Sequence, residues 1–387
     1  MRSNKEGWEL VKLCDVCEKV SKINAKTQTG KFNYIDIGSI DSELKRITEP
    51  QTLDWKDASS RARQVVRKGD TLFSTVRVNL EKIAFLDKDI QNGIASTGFA
   101  VLRPNFKVNP RYLFYMASSP KFIERVSLMQ NGTAYPAVNE KLVFNETIFL
   151  PSLFEQDVIA SLFQSIEYSI EQVESQEKNV LEFKNKLLSD LFNPCESFGN
   201  FLRAQDFETV RFEKVGNNIS ERVEPQKTEL TMYVGLEHLD SDNLRIERTG
   251  KPDDVIGTKL KIYKGDIIFG KRRAYLRKVA VSHFDGIASA HSMILRANEK
   301  NIEKEFLPYF MQSDAFMNRA VQISEGSLSP TIKSKTLAQQ EFALPRKEKQ
   351  PKLIALFKQF DLTIGQLKQQ KNNLKNLKHN LLNEILG

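Results

Sequence analysis

Cysteine is almost missing from this chain. Three residues in 387, Cys14, Cys17 and Cys195, are too few and too scattered for a disulfide framework, which points to a reducing, cytoplasmic setting. Cys14 and Cys17 have zinc-like spacing, but no second Cys or His pair follows at finger distance, so no metal site is expected. Histidine is as scarce. His238, His283, His291 and His379 contain no i,i+4 pair, and His379 falls late in a helical pattern, as a surface residue. No apolar run approaches the roughly 20 residues of a membrane span. The first eight residues, Met1 to Trp8, lack the apolar core of a signal peptide.

Catalytic motifs are missing too. There is no Gly-x-x-x-x-Gly-Lys-[Ser/Thr] phosphate loop and no Gly-x-Ser-x-Gly elbow. Asn109-Pro110-Arg111-Tyr112 brushes against the Asn-Pro-Pro-Tyr of adenine methyltransferases. It lacks the second proline and a preceding glycine-rich cofactor turn, and reads as a loop leading into a helix. So many absences favour a binding protein over an enzyme.

What is present is ordinary for a globular protein: 40% hydrophobic and 27% charged residues, with length for two domains. Lys+Arg number 57 against 49 Asp+Glu, a net charge of +8. That modest surplus suits a polyanionic partner, or simply a soluble basic surface.

The chain also repeats itself. Gly132 and Pro136 recur as Gly326 and Pro330, each 194 residues on. The same shift carries Leu150-Pro151 onto Leu344-Pro345, Gln156 onto Gln350, Tyr115 onto Tyr309 and Phe122 onto Phe316. Upstream the shift drifts by a residue or two. Lys68-Gly69-Asp70-Thr71-Leu72-Phe73 matches Lys264-Gly265-Asp266-Ile267-Ile268-Phe269, and Arg77–Ala84 matches Arg273–Ala280. A shift of half the chain means one duplicated unit and not a solenoid.

Each unit reads as a globular part, about 1–154 and 200–348, followed by a long helix, about 155–193 and 349–387. In the globular parts Tyr34–Ile37 and Thr71–Phe73 look like strands. Pro110–Met116 and Lys121–Val126 look like short helices, the first capped by Asn109. The fold class is α+β, with two similar mixed domains separated by two long helices that pair as a coiled coil.

From Gln156 to Phe192 there is neither Pro nor Gly. Ile159, Ile166, Val173, Val180 and Leu187 recur every seven residues, and so do Leu353, Phe360, Leu367, Leu374 and Leu381. A second stripe includes Phe163 and Ile170, and Phe357 and Ile364. This spacing predicts a coiled-coil seam. The first helix is mostly acidic and the second mostly basic, which favours pairing them with each other. About 35 residues make a rod of roughly 50 Å, longer than one DNA turn of about 34 Å.

With these features the chain resembles the specificity subunits of type I restriction-modification systems over nearly its whole length. Members run target-recognition domain, helix, target-recognition domain, helix, and the resemblance implies that the two long helices form an antiparallel coiled coil. The most specific stretch is Gly132, Pro136 and Leu150-Pro151-Ser152-Leu153-Phe154-Glu155-Gln156, close to the family's Leu-Pro-Pro-Leu-x-Glu-Gln. The second copy departs, with Leu344-Pro345-Arg346-Lys347-Glu348-Lys349-Gln350, which predicts a less typical helix entry. The resemblance implies a double-stranded DNA partner with a bipartite target, one half-site per domain and a fixed unread spacer. It also implies two modification subunits that methylate adenine with S-adenosylmethionine, and restriction subunits, recruited through them, that use ATP and magnesium. This chain itself would hold no cofactor. Three alternatives stand beside this: a specificity subunit for a fused methyltransferase-nuclease, a coiled-coil scaffold that never touches DNA, and an enzyme with unfamiliar motifs.

On this reading the basic segments after each Gly-Asp turn face DNA: Arg77, Asn79 and Lys82, then Lys271, Arg272, Arg273, Tyr275 and Lys278. Arg can bond guanine in a bidentate way, Asn can bond adenine, and Lys mostly meets phosphate. A solvated hairpin is the plainer alternative. The Gly-x-x-x-Pro loops contribute Thr133, Tyr135, Ser327 and Ser329, which differ between copies while Gly and Pro match. For His291 a core or a DNA-facing position is open.

Overall fold

The structure, a computed structural model, describes residues 7–132, 135–192 and 202–387. It divides into two compact units that do not follow the chain consecutively. One joins Met1–Glu174 to Gln369–Gly387, and the other is Ser175–Lys368. Each unit therefore holds one globular part with a stretch of both long helices.

In the first unit, two four-stranded sheets and two two-stranded ribbons, the smaller one Ile40–Asp41 with Arg46–Ile47, carry the short helices. One sheet orders Gln51–Asp54, Lys31–Ile35, Gly93–Ser96 and Ala62–Val65, with a parallel pair at Ile94 and Tyr34. The other orders Cys17–Glu18, Phe99–Pro104, Thr71–Ser74 and Ile83–Phe85, all antiparallel. Glu9–Lys12 pairs antiparallel with Thr147–Leu150, which leads straight into the first long helix. The second unit repeats the plan, with the parallel pair at Tyr233 and Ile287 and the ribbon Phe207–Arg211 against Glu341–Pro345. The expected strand Tyr34–Ile37 is shifted. It runs Lys31–Ile35 and stops because the Asp36 side chain accepts from the Ser39 backbone N–H, opening a short 3-10 turn. The helices Pro110–Ala117 and Pro120–Leu128 form as expected, and Asn109 caps the first by accepting from Arg111 and Tyr112 N–H groups.

The duplicated Lys-Gly-Asp turn has a structural purpose. Gly69 and Gly265 adopt φ of +90° and +94°, a region closed to most side chains. The buried Asp that follows then accepts from the backbone N–H at the turn's start, Arg67 or Tyr263. It also takes a two-pronged bond from an arginine on the neighbouring strand. Arg103 donates to Asp70 at 2.8 and 2.6 Å, and Arg296 to Asp266 at 2.7 and 2.9 Å. Burial leaves each carboxylate dependent on that arginine.

The first long helix spans Leu153–Leu191 and the second Gln350–Ile385. Ser152 and Glu155 form a reciprocal cap at the first entry, Ser152 donating to Glu155 at 2.8 Å. The second entry is indeed different, with a 3-10 turn, Lys347–Lys349, before Gln350. The anchor is nevertheless the same. Buried Gln156 accepts from Asn109 N–H and donates to the Pro151 carbonyl, while Gln350 accepts from Glu303 N–H and donates to Pro345.

The heptad seam is buried unevenly. Ile159, Ile166 and Val173 are buried, as is Leu353, whereas Val180, Leu187, Phe360, Leu367, Leu374 and Leu381 are half-buried. Early in each helix the seam faces its own globular core and not only a helical partner. In the first unit Ile159, Phe163, Ile166 and Ile170 join Tyr112, Tyr115 and Phe122, and the second helix adds Leu382, with Leu386 just past its end. In the second unit Leu353 and Phe357 join Tyr309, Phe310 and Phe316, with Leu188 and Leu191 from the first helix.

Charge pairing between the helices is specific. In the first unit Glu167 meets Lys378 at 2.6 Å and Glu174 meets Lys375 at 3.7 Å, so the two helical segments run antiparallel there. In the second unit Lys184 meets Asp361 at 2.6 Å. These are one arrangement used twice, because Glu167 and Asp361, Lys184 and Lys378, and Tyr115 and Tyr309 are each 194 residues apart. Each tyrosine hydroxyl donates to the acid, at 2.8 and 2.7 Å, and each ammonium lies over that tyrosine's ring. Burial and the adjacent carboxylate push both phenols well above their ordinary range, so both remain donors.

Candidate nucleic-acid interface

In each unit the strand that follows the Gly-Asp turn ends in a short 3-10 turn, Val78–Leu80 or Ala274–Leu276. Left-handed residues bracket it. Arg77 and Glu81 have φ of 48° and 51°, and Arg273 and Arg277 have φ of 57° and 52°. This conformation is uncommon away from glycine and persists only where its surroundings enforce it. The enforcing partner is the Gly-x-x-x-Pro loop. Arg77 N–H donates to the Pro136 carbonyl at 2.7 Å, and Arg273 N–H to Pro330 at 2.8 Å. One residue further back, Val76 bridges Ala137 and Arg272 bridges Thr331. Two segments about 60 residues apart thus form one surface in each domain.

Several of the expected residues meet on that surface. The Arg77 guanidinium lies 4.6 Å from the centroid of the Tyr135 ring, and Arg273 Nε donates to Ser329 Oγ at 3.3 Å. Arg77, Asn79, Arg273 and Tyr275 are exposed at the tip, beside exposed Tyr135 and Ser327. Lys271 and Arg272 are half-buried along its flank. Thr133 lies outside the described residues.

Two expected residues face inward instead. Lys82 donates to the Ile40 carbonyl at 2.5 Å and Lys278 to Leu236 at 2.6 Å, so both brace the turn from behind. Beneath the turn the copies use an ion pair of opposite polarity. Glu81 meets Lys45 at 2.6 Å, whereas Arg277 meets Asp242 and Asp314, each at 2.8 Å. Such an exchange keeps the support while its charges change place.

His291 belongs to the second domain's surface. Its ring lies 3.4 Å from Arg272 Nη1, and burial, reinforced by Arg272, Lys271 and Lys259, holds its imidazole below the ordinary histidine value. Arg222, Lys259, Lys333 and Lys335 also gather near Lys271 and were not singled out from the sequence. They come from three separate segments, and three of the four match a cation in the first copy, Lys22, Arg63 and Lys141, so the repeat did not mark them.

Other features do not extend this site. Burial pushes the Cys17 thiol up to about 12, so it stays protonated. Among the described residues no three His, Cys, Asp or Glu side chains stand together as a metal-holding group, and no helix is long and apolar enough to cross a membrane.

The family model for the type I restriction modification DNA specificity domain matches the chain twice, at residues 5–183 and 208–376. The chain is 22% identical over 296 residues to the type I restriction enzyme EcoDI specificity subunit of Escherichia coli, covering 68% of this chain and 66% of that one. It is 25% identical over 171 residues to the HindI specificity subunit of Haemophilus influenzae, covering 42% of this chain and 36% of that one. To the MjaVIII specificity subunit of Methanocaldococcus jannaschii it is 24% identical over 418 residues, covering 98% and 92%. The matched stretches thus span just under two thirds of the first of these relatives and about a third of the second. In fold it is similar to a structure titled for complex assembly and conformational transition of the type I R-M system, with TM-score 0.65, 23% identity and coverage of 98% and 97%. It is also similar to the type I restriction-modification S subunit from M. genitalium, with TM-score 0.57, 14% identity and coverage of 98% and 96%. With the family model covering both halves of the duplication, the chain belongs to the type I restriction modification DNA specificity family.

Proposed function

We propose that this chain reads a bipartite double-stranded DNA target, one half-site per globular domain, and leaves methyl transfer and cleavage to partner subunits. The observation that carries this is the paired tip in each domain, where a left-handed arginine is locked onto a Gly-x-x-x-Pro loop. Around the shared backbone the side chains differ: exposed Asn79 and Tyr135 in one domain, exposed Tyr275 and half-buried Ser329 in the other. A fixed frame with varied donors suits two surfaces that recognise different bases. The family's division of labour gives the chain two modification subunits as partners, and restriction subunits through them, in the cytoplasm. S-adenosylmethionine, ATP and magnesium belong to those partners.

The test uses glycine at the arginine. Arg273→Gly keeps the left-handed backbone at no steric cost, so the fold is retained while the guanidinium is lost. Binding to the cognate duplex is expected to weaken by about 1–3 kcal/mol, with relaxed sequence preference in one half-site only. Arg77→Gly should do the same in the other half-site. Unchanged affinity and unchanged preference in both variants would remove these tips from the interface.

A further inference from the structure

Beside its reading tip the second domain has a cleft of about 630 Å³. Its walls include residues of the strands Gly216–Ile219 and Lys259–Ile262 and of the short helix Ser334–Ala338. Arg222, Lys259, Lys271, Lys333 and Lys335 line it, and no described lining residue is a carboxylate. Two of these cations are engaged elsewhere. Lys259 donates to the Ile256 and Gly257 carbonyls, and Lys333 pairs with Glu325 at 2.7 Å. Arg222, Lys271 and Lys335 have no ion pair among the described residues. Burial and the charge of Arg222 push the Lys271 ammonium below its ordinary value, so an anion placed there would relieve both strains. Ser292, also in the lining, is fully buried and its hydroxyl has no hydrogen-bond partner.

The first domain is built differently at the same place. Backbone bonds fix the correspondence, since Val138 N–H donates to Thr75 O just as Ile332 N–H donates to Lys271 O. Likewise Val65 N–H donates to Ser21 O as Lys261 N–H donates to Glu221 O, which sets Lys22 against Arg222. Strand register sets Phe99 against Ser292, because they pair with Ser74 and Gly270. Where the second domain has Lys271, Lys333, Ser334 and Ser292, the first therefore has Thr75, Asn139, Glu140 and Phe99. Glu140 holds Lys22 at 3.0 Å, and Phe99 is a buried ring. The first copy keeps Lys22, Arg63 and Lys141 against Arg222, Lys259 and Lys335, but it lacks the other two cations, adds a carboxylate, and puts a buried ring where the second copy has a hydroxyl.

We propose that the cleft of the second domain seats a backbone phosphate of bound DNA, an anion site that the first domain lacks. This rests on the DNA-reading function proposed above. The cleft adjoins the reading tip directly. Lys271 precedes Arg272 and Arg273, and Thr331 and Ile332 follow Pro330, so tip and cleft lie on the same two segments. A phosphate contact positions the duplex without selecting sequence, which complements the base-facing tip. The first domain must hold its half of the duplex by other contacts.

The decisive variant is Ser334→Glu, which gives the second domain the carboxylate that Glu140 supplies in the first. Ser334 is half-buried at the first position of its helix, where an acid is well tolerated. The full-length chain is titrated with a random-sequence duplex by fluorescence anisotropy over a range of salt concentrations. Expected is weaker binding to all sequences alike, with the slope of log affinity against log salt smaller by about one. Lys271→Gln should match it, and Ser334→Gln, similar in size but uncharged, should keep the wild-type slope. If wild type shows no salt-dependent duplex binding, the DNA-reading function itself fails. If wild type binds and Ser334→Glu keeps its affinity and slope, the phosphate site fails while that function stands. If inorganic phosphate alone raises the melting temperature of wild type but not of Ser334→Glu, and the duplex slopes are equal, the site serves a free anion and the DNA assignment is overturned.

Discussion

The duplicated Tyr–acid–Lys arrangement lets one physical change be made twice in different surroundings. In the second unit Lys184 retains only 2% of its side-chain exposure, and its ammonium lies 2.6 Å from Asp361 and 3.4 Å from the Gln312 amide oxygen. In the first unit the equivalent Lys378 is 20% exposed and water shares its charge. Removing the acid should therefore hurt the second unit more. Asp361→Ala leaves a buried ammonium without a counter-charge, a loss of about 3–5 kcal/mol. For a unit of this size that corresponds to a fall in melting temperature on the order of 10 °C. Glu167→Ala leaves a partly solvated ammonium, and a loss of about 1 kcal/mol is expected. The double change Lys184→Met with Asp361→Leu should recover most of the Asp361→Ala loss, because both charges leave together. Urea unfolding, with hydrogen exchange to assign each transition to a unit, measures all three. Equal losses from Asp361→Ala and Glu167→Ala, or no recovery in the double variant, would refute the burial argument.

Two further outcomes are expected. DNA placed near His291 favours its charged form, and the free ring titrates below the ordinary histidine value, so affinity should rise as pH falls below that ordinary value. His291→Gln should abolish that rise in a pH series at fixed salt. Deleting seven residues from each long helix, around Val173 and Leu367, keeps the heptad register and shortens each by about 10 Å. Target mapping should then show both half-sites intact and the spacer shortened by roughly three base pairs.

Much of this architecture is legible because the duplication checks itself. The matches at Gly132 and Gly326, and at Gln156 and Gln350, mark positions where a turn or a helix anchor admits few alternatives. The helical seam is visible from spacing alone, but its uneven burial is not. Spacing says which side of a helix is apolar, and cannot say whether a sheet domain or another helix covers it. Lys82 and Lys278 mislead for a related reason. A lysine in a basic run looks like surface, and only the fold brings the Ile40 and Leu236 carbonyls within reach. The Tyr–acid–Lys sets were present at the repeat distance, yet Glu167 becomes the shorter Asp361, and each partner lysine is on the other helix. The cationic cleft was hidden most completely, since separate segments build it and its character depends on the absence of a carboxylate.

On the proposed function each globular domain independently reads one half of a split target. This is tested most directly by mapping adenine methylation genome-wide with complexes that differ only in this chain: wild type, Arg77→Gly and Arg273→Gly. Wild type should give two short half-sites at a fixed spacing. Each variant should then relax one half-site, a different one in each case, with the other half and the spacing unchanged. A single contiguous target, or relaxation of both halves by either substitution, would contradict it.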